Sequence, residues 1–109
     1  MGSQNMKIQF YNLSIEEFIS TLEIRTTARV FRMINILSAD GPRLVMPHSK
    51  KLGHHLFELR IRGEQEIRLI YTFYRGQIII LHGFVKKSQK LPRVELNIAR
   101  RRLRRLDSL

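Results

Sequence analysis

Between residues 56 and 85 the chain consists of three extended stretches joined by two very short connections, and nothing else in it constrains the fold as tightly. "LFELRIR" (56–62), "EIRLIYTFY" (66–74) and "QIIILHGFV" (77–85) have the length of strands and are rich in branched and aromatic residues. Only Gly63-Glu64-Gln65 and Arg75-Gly76 separate them. Connections this short cannot carry a chain across a sheet, so the three strands must run antiparallel, as a meander.

The loop lengths also predict a register. Pairing Arg62 with Glu66 sets Arg60 opposite Arg68 and Leu59 opposite Leu69. Pairing Tyr74 with Gln77 sets Arg68 opposite Gly83 and Leu69 opposite His82. Side chains alternate between faces, so Phe57, Leu59, Ile61, Ile67, Leu69, Tyr71 and Phe73 form one apolar face, the seat for helices. The opposite face is expected to carry Glu58, Arg60, Arg62, Arg68, Thr72 and Gly83. In this register His82 is a packed core histidine, and Gly83 leaves room for a ligand beside Arg68. Two arginines directly opposite one another repel unless an anion lies between them, or unless Arg60 pairs with Glu58 or Glu66 on a solvated sheet.

The remaining segments read as a short strand and three helices. "KIQFY" (7–11) alternates like a strand. Ser14 with Glu17 three residues on is a capping-box pattern, followed by Ile15, Phe18, Ile19 and Leu22 at helical spacing. A second helix is predicted over 24–37 with a buried stripe of Ala28, Phe31, Ile34 and Leu37, stopped by Gly41-Pro42. Residues 43–55, "RLVMPHSKKLGHH", read as a loop. Pro92 can open a last helix whose stripe is Leu96, Ala99, Leu103 and Leu106. The expected fold is α+β, a sandwich with helices on one face: a small, mainly antiparallel sheet (N-terminal strand plus meander), two N-terminal helices on one face, and a C-terminal basic helix. It makes one domain over 6–109, with "MGSQN" (1–5) a tag remnant or disordered lead.

Charge then narrows the function. The net charge is +11, and it is uneven: 1–40 is neutral, 41–85 holds seven basic against three acidic residues, and 86–106 holds nine basic against Glu95 alone. Such an excess attracts polyanions, nucleic acid foremost. There is no cysteine, which excludes disulfides and thiolate metal sites and suits a reducing cytoplasm. No apolar stretch approaches the ~20 residues of a membrane span, and no signal-peptide pattern is present. His54-His55 lacks a third partner for a metal. No metal, no cofactor and no membrane partner are expected.

"FELR", "IRLIY", "ILHGFVKKSQKLP" and "ELNIARRR", in that order and spacing, resemble the phage-derived, HigB-like branch of the RelE/HigB toxins of toxin–antitoxin pairs. The resemblance covers roughly residues 7–106. It implies the α+β fold, an endoribonuclease that cleaves mRNA, usually on the translating ribosome, and neutralisation by a cognate helix-turn-helix antitoxin. It implies metal-independent cleavage by the substrate's 2′-hydroxyl and a cytoplasmic site of action. Arg68 matches the strand arginine that holds the scissile phosphate, as a guanidinium can hold two phosphate oxygens. Lys87, with Lys86 beside it, matches the basic position after the last strand, for phosphate stabilisation or leaving-group protonation.

The acid–base pair stays open at this stage. Glu58 stands where RelE has lysines on the strand, and 86–109 contain no tyrosine. Glu58 is a candidate base; Lys50 and Lys51, from the loop, and His48, His54 and His55 are the alternatives. Lys50, Lys51, Arg60, Lys86, Lys90, Arg101, Arg104 and Arg105 are candidate RNA contacts. Two other readings compete: a ParE-like toxin that inhibits gyrase without nuclease activity, and a non-catalytic basic nucleic-acid-binding module. Against the latter, the chain lacks the exposed aromatic run of single-strand binders.

Overall fold

The meander forms as expected and sits at the centre of a wider sheet. In the computed structural model, which describes residues 5–107, the strands are β1 (Ile8–Phe10), β2 (Ser49–Gly53), β3 (Leu56–Ile61), β4 (Ile67–Tyr74) and β5 (Gln77–Val85). Their order is β1-β5-β4-β3-β2, with β1 parallel to β5 and every other pair antiparallel. The helices are α1 (Leu13–Ser20), α2 (Ile24–Asp40) and α3 (Arg93–Leu106). The fold is α+β, as the sequence predicts. The expected lead segment lies, apart from Asn5, outside the described residues.

Arg60 faces Arg68 and Leu59 faces Leu69, in the predicted register. The two-residue turn at Arg75-Gly76 has φ of 50° and 75°, the left-handed pair that a tight hairpin turn needs. From it, Tyr74 pairs with Gln77 and the ladder runs true to Tyr71–Ile80. There it slips: Ile70 pairs with His82, leaving Leu81 as a bulge. Every later residue of β5 therefore changes face relative to the predicted register. Leu69 faces Gly83, not His82, and Arg68 faces Phe84, not Gly83. The uninterrupted apolar run 78–81 has no alternation that would have marked the bulge.

The slip turns Gly83 away from Arg68 and under α1. A Cβ there would lie 2.8 Å from Leu69 Cδ2 and 3.1 Å from the Phe18 ring, so the glycine permits close helix–strand packing and offers no ligand space. His82 moves to the opposite face, where it is half-buried against α3.

The sheet is covered on both sides, which corrects the expectation of helices on one face. Leu59, Ile61, Ile67, Leu69 and Tyr71 pack with Ile15 and Ile19 of α1 and Val30, Ile34 and Leu37 of α2. On the reverse, Leu56, Ile70, Ile79, Leu81 and Phe84 pack with Ala99 and Leu106 of α3. Leu96 and Leu103 adjoin them, as the predicted α3 stripe requires.

Three local expectations are also corrected. The N-cap of α1 is Asn12, whose Oδ1 accepts the Ser14 amide at 3.1 Å; the helix begins before the Ser14–Glu17 pattern. The buried stripe of α2 is Thr26, Val30, Ile34 and Leu37, while Ala28 is exposed and Phe31 is 47% exposed. Thr26 can take a core place because a threonine methyl packs like a valine's, and this turns the helix relative to the predicted stripe. Third, part of the expected loop 43–55 is β2, an edge strand short enough to lack a clear alternation. Among the described residues no helix is long and apolar enough to cross a membrane.

Candidate nucleic-acid cleft

β3 and β4 carry a small network of buried charge on the α3 side of the sheet. The Glu58 side chain is 3% exposed, and its Oε1 accepts from Arg60 Nε at 3.0 Å. The same oxygen lies 3.9 Å from Arg68 Nε, which has no hydrogen-bond partner. Arg68 is itself 4% exposed; Nη1 donates to the Ile67 carbonyl and Nη2 to Glu66 Oε1, both at 3.0 Å. The sequence placed Arg68 on an open face. It is buried there because α3 and Phe84, paired beside it, close that face.

Glu66, just before β4, completes the network and stands at its rim, with a side chain 35% exposed. Its Oε2 accepts the Gly63 amide at 3.2 Å, and Arg62 Nη1 lies 3.6 Å from Oε1. Burial alone would raise its pKa. The hydrogen bonds from Arg68 and the Gly63 amide, with the charges of Arg68 and Arg62, outweigh that and hold the carboxyl below its ordinary 4.5. In the sequence Glu66 reads only as the cross-strand partner of Arg62 and an ion-pair partner for Arg60. Its parity with Arg68, two residues on, was the available signal for more.

A cleft of about 430 Å³ opens over this network, lined by Arg60, Arg62, Glu66, Arg68, Lys86, Lys87, Ser88 and Gln89. Five cations surround one carboxylate. The Lys86 amide donates to the Glu66 carbonyl at 2.7 Å, which carries the β4–β5 ladder one step past the strand. Lys86 therefore continues the parity of His82 and Phe84 and shares the Arg68 face. That reverses the expected order of the two lysines, since the predicted register gave this place to Lys87.

The other candidates are distributed more widely. Lys50 and Lys51 lie on β2, not on a loop; Lys50 pairs with Glu58 and shares its face, whereas Lys51 pairs with Phe57 and does not. Lys90 is exposed beyond the cleft lining. Arg101, Arg104 and Arg105 are exposed on α3. The end of that helix docks at the far end of β4, where Tyr74 Oη donates to the Leu106 carbonyl at 2.9 Å. Tyr74 stands six residues from Arg68, roughly 20 Å along the strand. These arginines form a second basic surface, apart from the cleft.

The histidines separate as well. His54 and His55 are exposed at the β2–β3 turn with left-handed φ of 51° and 66°. His48 is exposed beside α2. His82 Nε2 lies 2.8 Å from Glu95 Oε1 and its ring stacks on Phe84 at 5.8 Å, linking α3 to the strand behind Arg68. Arg102, which the sequence reading did not single out, donates to the Leu81 carbonyl at 2.6 Å and lies 5.3 Å from the Tyr11 ring centroid. It fixes α3 to the bulge. Burial pulls its pKa down, against the pull of Tyr11 and with the push of Arg101 and Arg105.

Residues 17–104 match the family model described as "Phage derived protein Gp49-like (DUF891)". The chain belongs to the phage-derived Gp49-like family. That family is associated with the toxins of toxin–antitoxin pairs. Comparison with curated proteins gave no match. In this Gp49-like chain the matched span contains every residue lining the cleft, and Arg101 and Arg104 of the second basic surface.

Proposed function

We propose that this Gp49-like protein is the toxin of a toxin–antitoxin pair and an endoribonuclease that cuts mRNA in the Arg68 cleft. The observation that carries this reading is the cleft's composition: five cations around a single ionised carboxylate, in a space lined by Lys86 and Lys87. Cations alone would bind RNA. A carboxylate held ionised among them adds a proton acceptor.

In this mechanism Glu66 takes the proton of the substrate's 2′-hydroxyl as its oxygen attacks the adjacent phosphorus. Arg68 and Arg62 hold the non-bridging oxygens and balance the charge of the phosphorane. Lys86 gives its proton to the departing 5′-oxygen, and Lys87 supplies further positive charge. The products are a 2′,3′-cyclic phosphate and a 5′-hydroxyl. Glu58, buried beneath, is a positioning residue: it fixes Arg60 and sets the orientation of Arg68. Arg68 must exchange its bond to Glu66 for one to phosphate, which frees the carboxylate as the substrate arrives.

The exposed α3 arginines suit ribosomal RNA, with cutting on the translating ribosome in the cytoplasm, and a cognate helix-turn-helix antitoxin silences the toxin. The test is incubation of purified protein with a defined mRNA, free and on translating ribosomes, with the new ends mapped. Cyclic-phosphate ends from either arm support the reading; intact RNA in both overturns it. A gyrase-directed toxin without nuclease activity is the second reading, favoured by one observation: both terminal nitrogens of Arg68 already hold protein acceptors. Inhibition of DNA supercoiling with intact transcripts would select it.

A further inference from the structure

A second cleft, of about 360 Å³, lies where α2 meets the ends of β2 and β3, and it shares Arg60 and Arg62 with the first. Its volume falls in the range of small-ligand sites. Met33, Ile36, Pro47 and Ile61 contribute apolar surface, Arg29 and Arg32 stand on α2, and no carboxylate lines it. Among the described residues neither Arg29 nor Arg32 has an ion-pair or hydrogen-bond partner for its guanidinium. Arg29 is nevertheless placed: a Cβ on Gly63 would fall 2.1 Å from its Nη1, so the bare glycine lets the guanidinium lie against the β3–β4 hairpin.

We infer that this second cleft holds a nucleotide of the same RNA strand, next to the segment that lies over Arg68. The inference rests on the RNA-cleaving reading and extends it around the sheet edge. An apolar surface with cations at its margin suits a base, which is desolvated, carried on a phosphodiester, which is anionic. The shared Arg60 and Arg62 make the path between the clefts continuously positive, so one strand can occupy both without crossing an acidic barrier. The apolar residues give the protein a place to sense a base, where the Arg68 cleft offers contacts chiefly to phosphate.

Binding of 2′-O-methyl oligoribonucleotides, which cannot be cut by 2′-attack, tests this by fluorescence anisotropy with a trimer and a heptamer. The wild-type protein should bind the heptamer at least about thirtyfold more tightly, well above the roughly fivefold that extra binding registers provide. The double variant Arg29→Gln/Arg32→Gln should keep trimer affinity, lose most of the heptamer's advantage, and lower the salt slope for the heptamer by about 1.4, two contacts' worth on a single strand. An abasic residue walked along the heptamer should cost the wild-type protein at least about fivefold at one position, with the other sites near neutral. Equal losses for both lengths in the double variant, no length preference in the wild type, or a flat abasic scan would each overturn the subsite while leaving the Arg68 cleft standing. If the wild-type protein binds neither RNA, the RNA-cleaving reading falls, and the subsite with it.

Discussion

Arg60 and Arg68 stand directly opposite each other on β3 and β4, and the carboxylate between them belongs to buried Glu58, 3.0 Å from one Nε and 3.9 Å from the other. Two guanidinium groups so placed would repel; the anion turns the repulsion into a fixed array. Arg68 Nε still has no hydrogen bond, so the array is held by charge and by the partners of its two terminal nitrogens.

Removal of Arg68 should therefore affect stability as well as activity. Arg68→Ala leaves Glu58 with Arg60 alone and opens space beside Phe84, and a loss of about 1–3 kcal/mol is expected from urea unfolding. This differs from the view of Arg68 as an exposed strand residue, under which the variant would be as stable as wild type. Growth arrest by Arg68→Ala should be abolished at a temperature where the variant is still folded.

The bulge at Leu81 reverses the ranking of two neighbouring lysines. Lys86→Ala should lose at least about a hundredfold in single-turnover cleavage, the scale of one positioned acid. Lys87→Ala, on the other parity, should lose about tenfold or less. A larger loss at Lys87 would mean that the ladder does not extend past Val85 when the protein acts on RNA.

Gly83→Ala probes the same slip without touching the chemistry. The added methyl must displace Leu69 and the Phe18 ring, so thermal or urea unfolding should show a loss of about 1–3 kcal/mol. A neutral result would place Gly83 back on the open face.

How much of this was legible in the sequence follows from where side chains announce their faces. The β3–β4 hairpin alternates, and its loop length set Arg60 against Arg68 correctly. β5 is apolar throughout its middle, so no alternation marked the bulge, and Gly83, His82 and the lysines beyond it inherited the wrong face. α2 misled for a related reason: Ala28 and Phe31 line up with Ile34 and Leu37 as a core stripe, yet Phe31 is 47% exposed and the buried line reaches Ile34 and Leu37 through Thr26 and Val30. Charge and the "HGFVKKSQK" segment located the cleft. Glu66 was obscured because a carboxylate beside arginines on a strand reads as an ion pair, which it also is.

The pH dependence of cleavage separates a carboxylate base from a histidine one. Glu66 titrates below its ordinary 4.5, so it is already deprotonated across the neutral range. Single-turnover rates should be flat from about pH 5.5 to 8 and fall only at more acid pH, as the carboxylate takes up a proton. The same sign holds for the stability of the free protein: the Glu66–Arg68 link contributes fully above about 4.5 and is lost as the pH falls from there through the depressed folded value. A rate rising with an apparent pKa near 6.5 would assign the base to a histidine.

The most direct measurement is the single-turnover cleavage rate of Glu66→Gln at saturating RNA, with binding measured alongside. Glutamine keeps the size of the side chain and can still accept a hydrogen bond from Arg68, but it cannot take a proton. The account predicts a rate at least about a hundredfold below wild type, with RNA bound as tightly or more tightly once the negative charge is gone. A variant that binds RNA and cuts it at the wild-type rate would contradict the assignment of this cleft as a cleavage site built around Glu66.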